Sequence, residues 1–336
     1  MLKTFKDILI IKNGKNQKSV ENPEGQYPIY GSGGIIGFAN NYLCEGNTVV
    51  IGRKGSINNP IFVDKPFWNV DTAFGLVTDR SKMIPKYLYY FCLHFDFNRL
   101  NKAVTLPSLT KSDLLKIEID VPDLVVQFKV VDKLQKVELI INLKKQQLQK
   151  FDDLIRARFV EMFGNPITNN KNFVVKKVIE VVKLQRGHDL PIQNRIQNST
   201  IPVWGSNGIV GYHNEAKSNS GIITGRSGTL GKVYYYAHPF WPLNTTLYSI
   251  NTYNNNIIYL KYLLEFYELQ RFASGTGVPT LNRNEFHNEM IIDVPLDLQN
   301  EFADFVKQVD KSKLAVQQSL DKTQELFDSL MQKYFG

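Results

Sequence analysis

The sequence predicts a mixed α/β protein: two tandem, mostly-β α/β lobes joined by two long helices packed as an antiparallel coiled coil, with a pseudo-twofold internal repeat. Three observations predict it. A heptad pattern spans Asp123 to Phe163 and returns at the C-terminus in the same register. Four loop landmarks recur in one order at an offset of about 173 residues. Both helical stretches also share their entrance and exit residues: Val121-Pro122 and Val294-Pro295 before them, Phe163-Gly164 and Phe335-Gly336 after them.

Spacings of four and three place Val130, Leu134, Val137, Ile141, Leu148, Phe151, Ile155 and Met162 on one seam of the first helix, interrupted by Lys144 and Arg158. The second seam reads Phe302, Val306, Val309, Val316, Leu320, Phe327, Leu330 and Tyr334, interrupted by Lys313 and Thr323. A helix of about 40 residues is about 60 Å long and needs a partner along its apolar seam. The obvious partner is its own repeat, with the polar interruptions fixing alignment at a cost in stability.

The first lobe opens with a short amphipathic segment, Thr4 to Ile11, and a basic turn carrying Lys12, Lys15 and Lys18. A strand pair around the glycine turn Tyr30-Gly31-Ser32-Gly33-Gly34 follows, then a β-branched strand, Thr48 to Gly52. Strand-like pieces lie at 61–63 and 67–68, a helix spans Pro85 to Leu100, and Lys116 to Val121 alternates as a closing strand. The second lobe repeats the order: Trp204-Gly205-Ser206-Asn207-Gly208, Gly225-Arg226-Ser227-Gly228, Phe240-Trp241 and Val278-Pro279-Thr280-Leu281.

At 336 residues, with 43% hydrophobic residues, the chain suits two globular lobes plus the helices. The net charge of +8 favours an anionic partner. Cys44 and Cys92 lack metal-ligand spacing and read as reduced packing residues. With no apolar run of membrane-spanning length and no signal-peptide core, the expectation is a cytoplasmic protein without a membrane partner.

Three kinds of loop carry candidate ligand contacts. In the Gly-Arg-x-Gly turns, Arg53 and Arg226 stand between glycines, where a guanidinium can fork onto a phosphate or a guanine edge. Lys54, Ser56, Ser227 and Thr229 flank them. A hairpin turn with a solvated arginine is the plain alternative. The Pro-Ser/Thr-Leu loops offer Lys102, Thr105, Ser108 and Lys111, and in the second lobe Thr276, Thr280, Asn282 and Arg283. Here the alternative is helix capping by Thr110 or Ser112 and by Asn282. The basic segments add Lys15, Lys18, Arg186 and Arg195, with a solvated face as the default.

The glycine turns do not suit a nucleotide: no Lys-Ser/Thr follows and the next residues look extended, so close strand packing is the expected role. No metal or catalytic constellation is legible. Asp71-Thr72 becomes Asn244-Thr245 in the second lobe, and the histidines have no matched partners. A methyltransferase should show an Asn/Asp-Pro-Pro-aromatic motif; Asn59-Pro60-Ile61-Phe62 lacks its second proline.

The ordered duplication of these turns and loops, together with Asp120-Val121-Pro122, Asp293-Val294-Pro295 and Met162-Phe163-Gly164-Asn165-Pro166, resembles the specificity subunit of type I restriction–modification enzymes across essentially the whole chain. The resemblance implies target recognition domains at residues 1–121 and 165–294 and spacer helices at 122–164 and 295–336. Each domain would read one half of a bipartite double-stranded DNA target, and the helices would set the spacing and dock two modification (methyltransferase) subunits. The chain itself would be non-catalytic and bind no cofactor or metal. S-adenosylmethionine would sit on the adenine-methylating partners, and Mg and ATP on a restriction (motor-nuclease) subunit where one joins. The rival readings are a stand-alone DNA methyltransferase or nuclease, and a duplicated coiled-coil scaffold.

Overall fold

The computed structural model describes residues 1–336 except Val104, Gln197 and Thr276. It divides into two units, residues 1–145 with 318–336, and residues 146–317.

Unit 1 begins with β1 (Leu2–Thr4), α1 (Phe5–Ile8), β2 (Leu9–Asn13), β3 (Tyr27–Gly31), β4 (Gly34–Ala39) and β5 (Thr48–Gly52). It continues with β6 (Ile61–Val63), β7 (Trp68–Asn69), β8 (Ala73–Thr78), α2 (Pro85–His94), α3 (Lys111–Leu114), β9 (Glu118–Asp120) and the start of α4 (Leu124–Phe163). One sheet has strand order β2-β8-β5-β6 and another β4-β3-β7, while β1 pairs with β9. The β5 residues are all buried, as a short apolar β-branched run demands of an interior strand. Pro85 opens α2, where its missing N–H costs nothing, and Leu88, Tyr90 and Phe91 enter the core.

Unit 2 repeats this plan. After the end of α4 come β10 (Val175–Lys177), α5 (Val178–Val181), β11 (Lys183–Arg186), β12 (Ile201–Gly205), β13 (Gly208–His213) and β14 (Gly221–Gly225). Then follow β15 (Val233–Tyr236), β16 (Trp241–Pro242), β17 (Thr246–Asn251), α6 (Ile257–Phe266), β18 (Ala273–Ser274) and β19 (Thr280–Leu281). The unit closes with α7 (Arg283–Asn288), β20 (Met290–Ile292) and the start of α8 (Leu296–Phe335). The sheets are β11-β17-β14-β15, β13-β12-β16 and β10-β20, which match unit 1 strand for strand, plus a β18-β19 hairpin.

The two 40-residue helices run antiparallel within each unit. In unit 1, Lys144 Nζ donates to Ser319 Oγ (2.7 Å), while Val130 and Leu134 share a core with Met331. In unit 2, Lys313 Nζ lies 2.5 Å from Asp152 Oδ1, and Arg158 bonds Glu301 at 2.7 Å. Phe159 meets Phe302 edge-on at 5.4 Å. Leu134, Val137, Ile141, Ile155, Val306, Val309 and Leu320 are buried; Leu148, Phe151, Val316, Phe327 and Leu330 are half-buried. The charged interruptions are thus seated in polar contacts instead of breaking the seam.

A buried glutamine anchors each long helix. Gln127 Oε1 accepts from Ile84 N (2.8 Å), and its Nε2 donates to Lys82 O and Pro122 O (both 2.9 Å). Gln299 does the same in unit 2, accepting from Asn256 N (2.8 Å) and donating to Asn255 Oδ1 (2.7 Å) and Val294 O (2.8 Å).

Three local expectations are corrected. Thr4 to Ile11 is not one amphipathic segment but strand, single helical turn and strand, because Asp7 accepts from Thr4 N (2.9 Å) and closes a short cap. The helix expected over Pro85 to Leu100 stops at His94, and Asp96 caps a separate 3₁₀ turn, Phe97–Leu100. Close strand packing accounts for only some of the turn glycines: a Cβ at Gly205 would lie 3.0 Å from Val210 on the paired strand, and one at Gly31 would make ordinary contact with Ile36. Gly33 and Gly34 have open space where a Cβ would be, and Gly34 and Gly208 are wanted for backbone angles of φ +127° and +115°.

Candidate nucleic-acid interface

The Gly-Arg-x-Gly turn follows directly from an interior strand in each unit, β5 or β14. Its first glycine is obligatory: a Cβ at Gly52 would collide with the Ser56 carbonyl oxygen, and one at Gly225 with that of Thr229. Its second glycine, Gly55 or Gly228, has φ +85° or +89°. The turn's repetition thus has a backbone cause, and the hairpin alternative is correct as far as the glycines go.

The turn is held in the same way in both units. Arg53 N donates to Thr72 O (2.8 Å), Gly55 N to Pro107 O (3.0 Å), and Leu109 N to Arg53 O (2.8 Å). Arg226 N, Gly228 N and Leu281 N repeat these bonds to Thr245 O, Pro279 O and Arg226 O at 2.8, 3.0 and 2.8 Å. Lys54 faces Ser108 and Ser227 faces Thr280 as single antiparallel bridges. The glycine turn closes the group, since a Cβ at Gly55 or Gly228 would lie 3.4 Å from Ser32 Oγ or Ser206 Oγ. Each unit therefore brings three repeated loops to one place, although the sequence presents them as separate.

The arginine side chains are tethered alike. Arg53 Nη1 donates to Asp71 O (3.3 Å) and Arg226 Nε to Asn244 O (2.7 Å). The carbonyl is what the arginine uses, which leaves the side chains free to differ as Asp71 and Asn244 do. Arg53, Lys54 and Ser56 are exposed; Arg226, Ser227 and Thr229 are half-buried.

Around this cluster, unit 2 has a cavity of about 420 Å³ lined by Arg186, Arg226, Arg283, Thr280, Asn282 and Asn284, with Ser274 and Leu281. Burial, then the charge of Arg186, lowers the Arg226 pKa, with Asp189 opposing. Asp189 also contacts Asn244 and lies 3.8 Å from Arg186. In unit 1, Lys102 is paired with Asp113 (3.0 Å), and Thr105 and Lys111 are exposed beside Ser108. Asn101, which sequence reading missed, organises that loop: its Oδ1 accepts from Ala103 N and Ser108 N, both at 3.0 Å.

The capping alternative is realised as well. Thr110 Oγ1 accepts from Asp113 N (3.2 Å) at α3, and Asn282 Oδ1 accepts from Asn284 N (3.1 Å) at α7. Thr276 lies outside the described residues. Two basic segments stand away from these bonds. Lys15 and Lys18 are exposed, with the Lys15 carbonyl accepting from Trp68 Nε1 (2.9 Å). Arg195 is half-buried, donates to Val210 O (3.0 Å), and lines a separate cavity with Ile192, Ile196 and Tyr212. Among the described residues, no helix is long and apolar enough to cross a membrane.

Fold and site together define a duplicated α/β protein that presents the same polar loop cluster twice. The chain belongs to the family described as type I restriction modification DNA specificity domain, whose model matches residues 1–151 and 170–325. Two Mycoplasma pneumoniae proteins named as type I specificity subunits are similar. One is 27% identical over 170 residues, covering 45% of this chain and 56% of that relative. The other is 22% identical over 300 residues, covering 82% and 80%. The fold is that of the type I restriction-modification S subunit of M. genitalium (TM-score 0.68, 18% identity, 100% of this chain and 96% of that one). A second solved structure, from work on complex assembly and conformational transition of the type I R-M system, matches with TM-score 0.61 and 13% identity over 100% and 97%.

Proposed function

We propose that this chain is the DNA-sequence specificity subunit of a type I restriction–modification system. In this reading residues 1–121 and 165–294 each recognise one half of a bipartite double-stranded target. The spacer helices, 122–164 and 295–336, set the half-site separation and dock two modification subunits. The observation that carries the reading is one scaffold with two different sets of loop side chains. The hydrogen bonds of the loop cluster repeat between units, while Lys54 becomes Ser227, Ser108 becomes Thr280 and Lys111 becomes Arg283. Shared positioning with different side chains is what two unlike half-sites require.

Methyl transfer from S-adenosylmethionine to adenine is assigned to the modification subunits. ATP- and Mg-dependent cleavage is assigned to a restriction subunit where one joins. This chain contributes recognition and no catalytic group, and it works on DNA in the cytoplasm. Mapping methylated adenines in cells with and without the chain tests this. The reading expects a split motif that vanishes with the chain; an unchanged methylation pattern contradicts it.

A further inference from the structure

The cavity at the unit 2 loop cluster is set apart by its charge. Arg186 from β11, Arg226 from the Gly-Arg-Ser-Gly turn and Arg283 from α7 line a single cavity of about 420 Å³. Its other polar walls, Ser274, Thr280, Asn282 and Asn284, are neutral. Arg226 is fixed by its bond to Asn244 O (2.7 Å), and Arg283 by two bonds to Asn284 Oδ1 (3.2 and 3.0 Å). Asp189 is 3.8 Å from Arg186 and more than half exposed, so it compensates little of the charge. Like charges gathered on one cavity repel; burial first, and then the charge of Arg186, lowers the Arg226 pKa. An anion sharing the space would offset that repulsion.

Unit 1 does not reproduce the set. The repeated backbone bonds Gly14 N to Ala73 O and Gly187 N to Thr246 O align Asn13 with Arg186. The caps Thr110 and Asn282 align Lys111 with Arg283. The equivalent trio is therefore Asn13, Arg53 and Lys111: one guanidinium fork, one ammonium and one neutral amide. An ammonium acts as a hydrated point charge, whereas a guanidinium offers planar paired donors matched to phosphate oxygens.

We propose that the Arg186–Arg226–Arg283 cavity is a phosphate seat that takes one backbone phosphodiester of the duplex, so that unit 2 grips DNA in a fixed, sequence-independent register that unit 1 lacks. The inference rests on the DNA-reading function proposed above. It assigns these arginines to positioning, and leaves sequence readout to other residues of the loops.

The test uses the full chain and two probes: inorganic phosphate by calorimetric titration, and fluorescent duplexes of pooled and of single sequences by anisotropy at several salt concentrations. The variants are R186Q/R283Q and R186K/R283K, which spare Arg226 and its tether. The wild type should bind inorganic phosphate, and both variants should lose that binding. The glutamine variant should weaken binding of every duplex by a similar factor, about tenfold or more. Its log–log salt slope should become shallower by about one, as for one phosphate contact. The lysine variant should weaken binding nearly as much, because charge without the fork is insufficient.

Wild-type affinity in either variant overturns the seat while leaving DNA reading intact, and so does weakening confined to one sequence, which marks a base contact. Arginine-dependent phosphate binding with no duplex binding would uphold the anion cavity and sink the DNA-reading function.

Discussion

The amide of Leu109 donates to the carbonyl oxygen of Arg53 at 2.8 Å, which ties the Pro-Ser-Leu loop of unit 1 to its Gly-Arg-Lys-Gly turn. Leu281 and Arg226 repeat the bond at the same distance. Because it uses backbone atoms, the side chains around it can vary without disturbing the scaffold. That is how one fold can present different contact surfaces in its two units.

Arg53→Ala is expected to weaken recognition of one half-site only. The loss is about 1–3 kcal/mol where a bidentate base contact is removed. Binding to duplexes with one half scrambled at a time checks this. Equal losses at both halves would point to general charge instead.

Gln127→Met keeps roughly the side-chain volume but strands the Ile84 N–H and two carbonyls. A cost of about 2–3 kcal/mol is expected. Amide exchange should accelerate in α2 of unit 1 and remain unchanged in α6 of unit 2. Gln299→Met should give the reverse pattern. A change of less than about 0.5 kcal/mol would show that the glutamines do not anchor the helices.

Lys313→Leu is expected to stabilise unit 2. Asp152 is 56% exposed in the Lys313–Asp152 pair, so the lost contribution is at most about 1 kcal/mol, and Lys261 remains beside Asp310, whose burial Lys313 also offsets. A leucine on the seam buries apolar surface worth about 1–2 kcal/mol. The thermal midpoint should rise by a few degrees; a fall would mean that the pair, and not the apolar seam, holds the helices there.

His287 makes unit 2 acid-sensitive. Its Nε2 accepts from Leu184 N (3.1 Å), so the ring is neutral in the fold, and burial, then Arg283 and Lys183, hold its pKa below the ordinary 6.5. A depressed folded-state value means the stabilisation is complete above about pH 6.5 and is lost as pH falls toward the folded value. Unfolding midpoints at pH 7.5 and 5.5 should differ, and His287→Asn should shrink the difference. An undiminished difference in the variant would place the acid sensitivity elsewhere.

The duplication was legible because its markers are local. Heptad spacing, Val-Pro entrances, and glycines forced by turn geometry at Gly52, Gly55, Gly225 and Gly228 all leave traces in the sequence. What stayed hidden depends on long-range pairing. Arg53 and Leu109 are 56 residues apart and bonded through main chain, which no side-chain pattern reports. Gln127 and Gln299 look like ordinary polar helix residues, and their burial follows only from where α2 and α6 begin. Arg186 and Arg283 read as separate basic positions until β11 and α7 bring them to one cavity.

The spacer role can be tested by lengthening both helices together, with one heptad inserted after Lys145 and another after Gln317, so that the seams stay in phase. Seven residues add about 10 Å, or about three base pairs of duplex. The half-site sequences should be unchanged while the gap grows by that amount; a constant gap with altered bases would contradict a spacer.

The most direct measurement of the central claim is sequencing of the duplexes that the full chain retains from a random pool. Two equivalent reading units predict two short defined blocks separated by a gap of fixed length and free sequence, with exchange of residues 165–294 altering one block alone. A single continuous block, or changes in both blocks after that exchange, would contradict it.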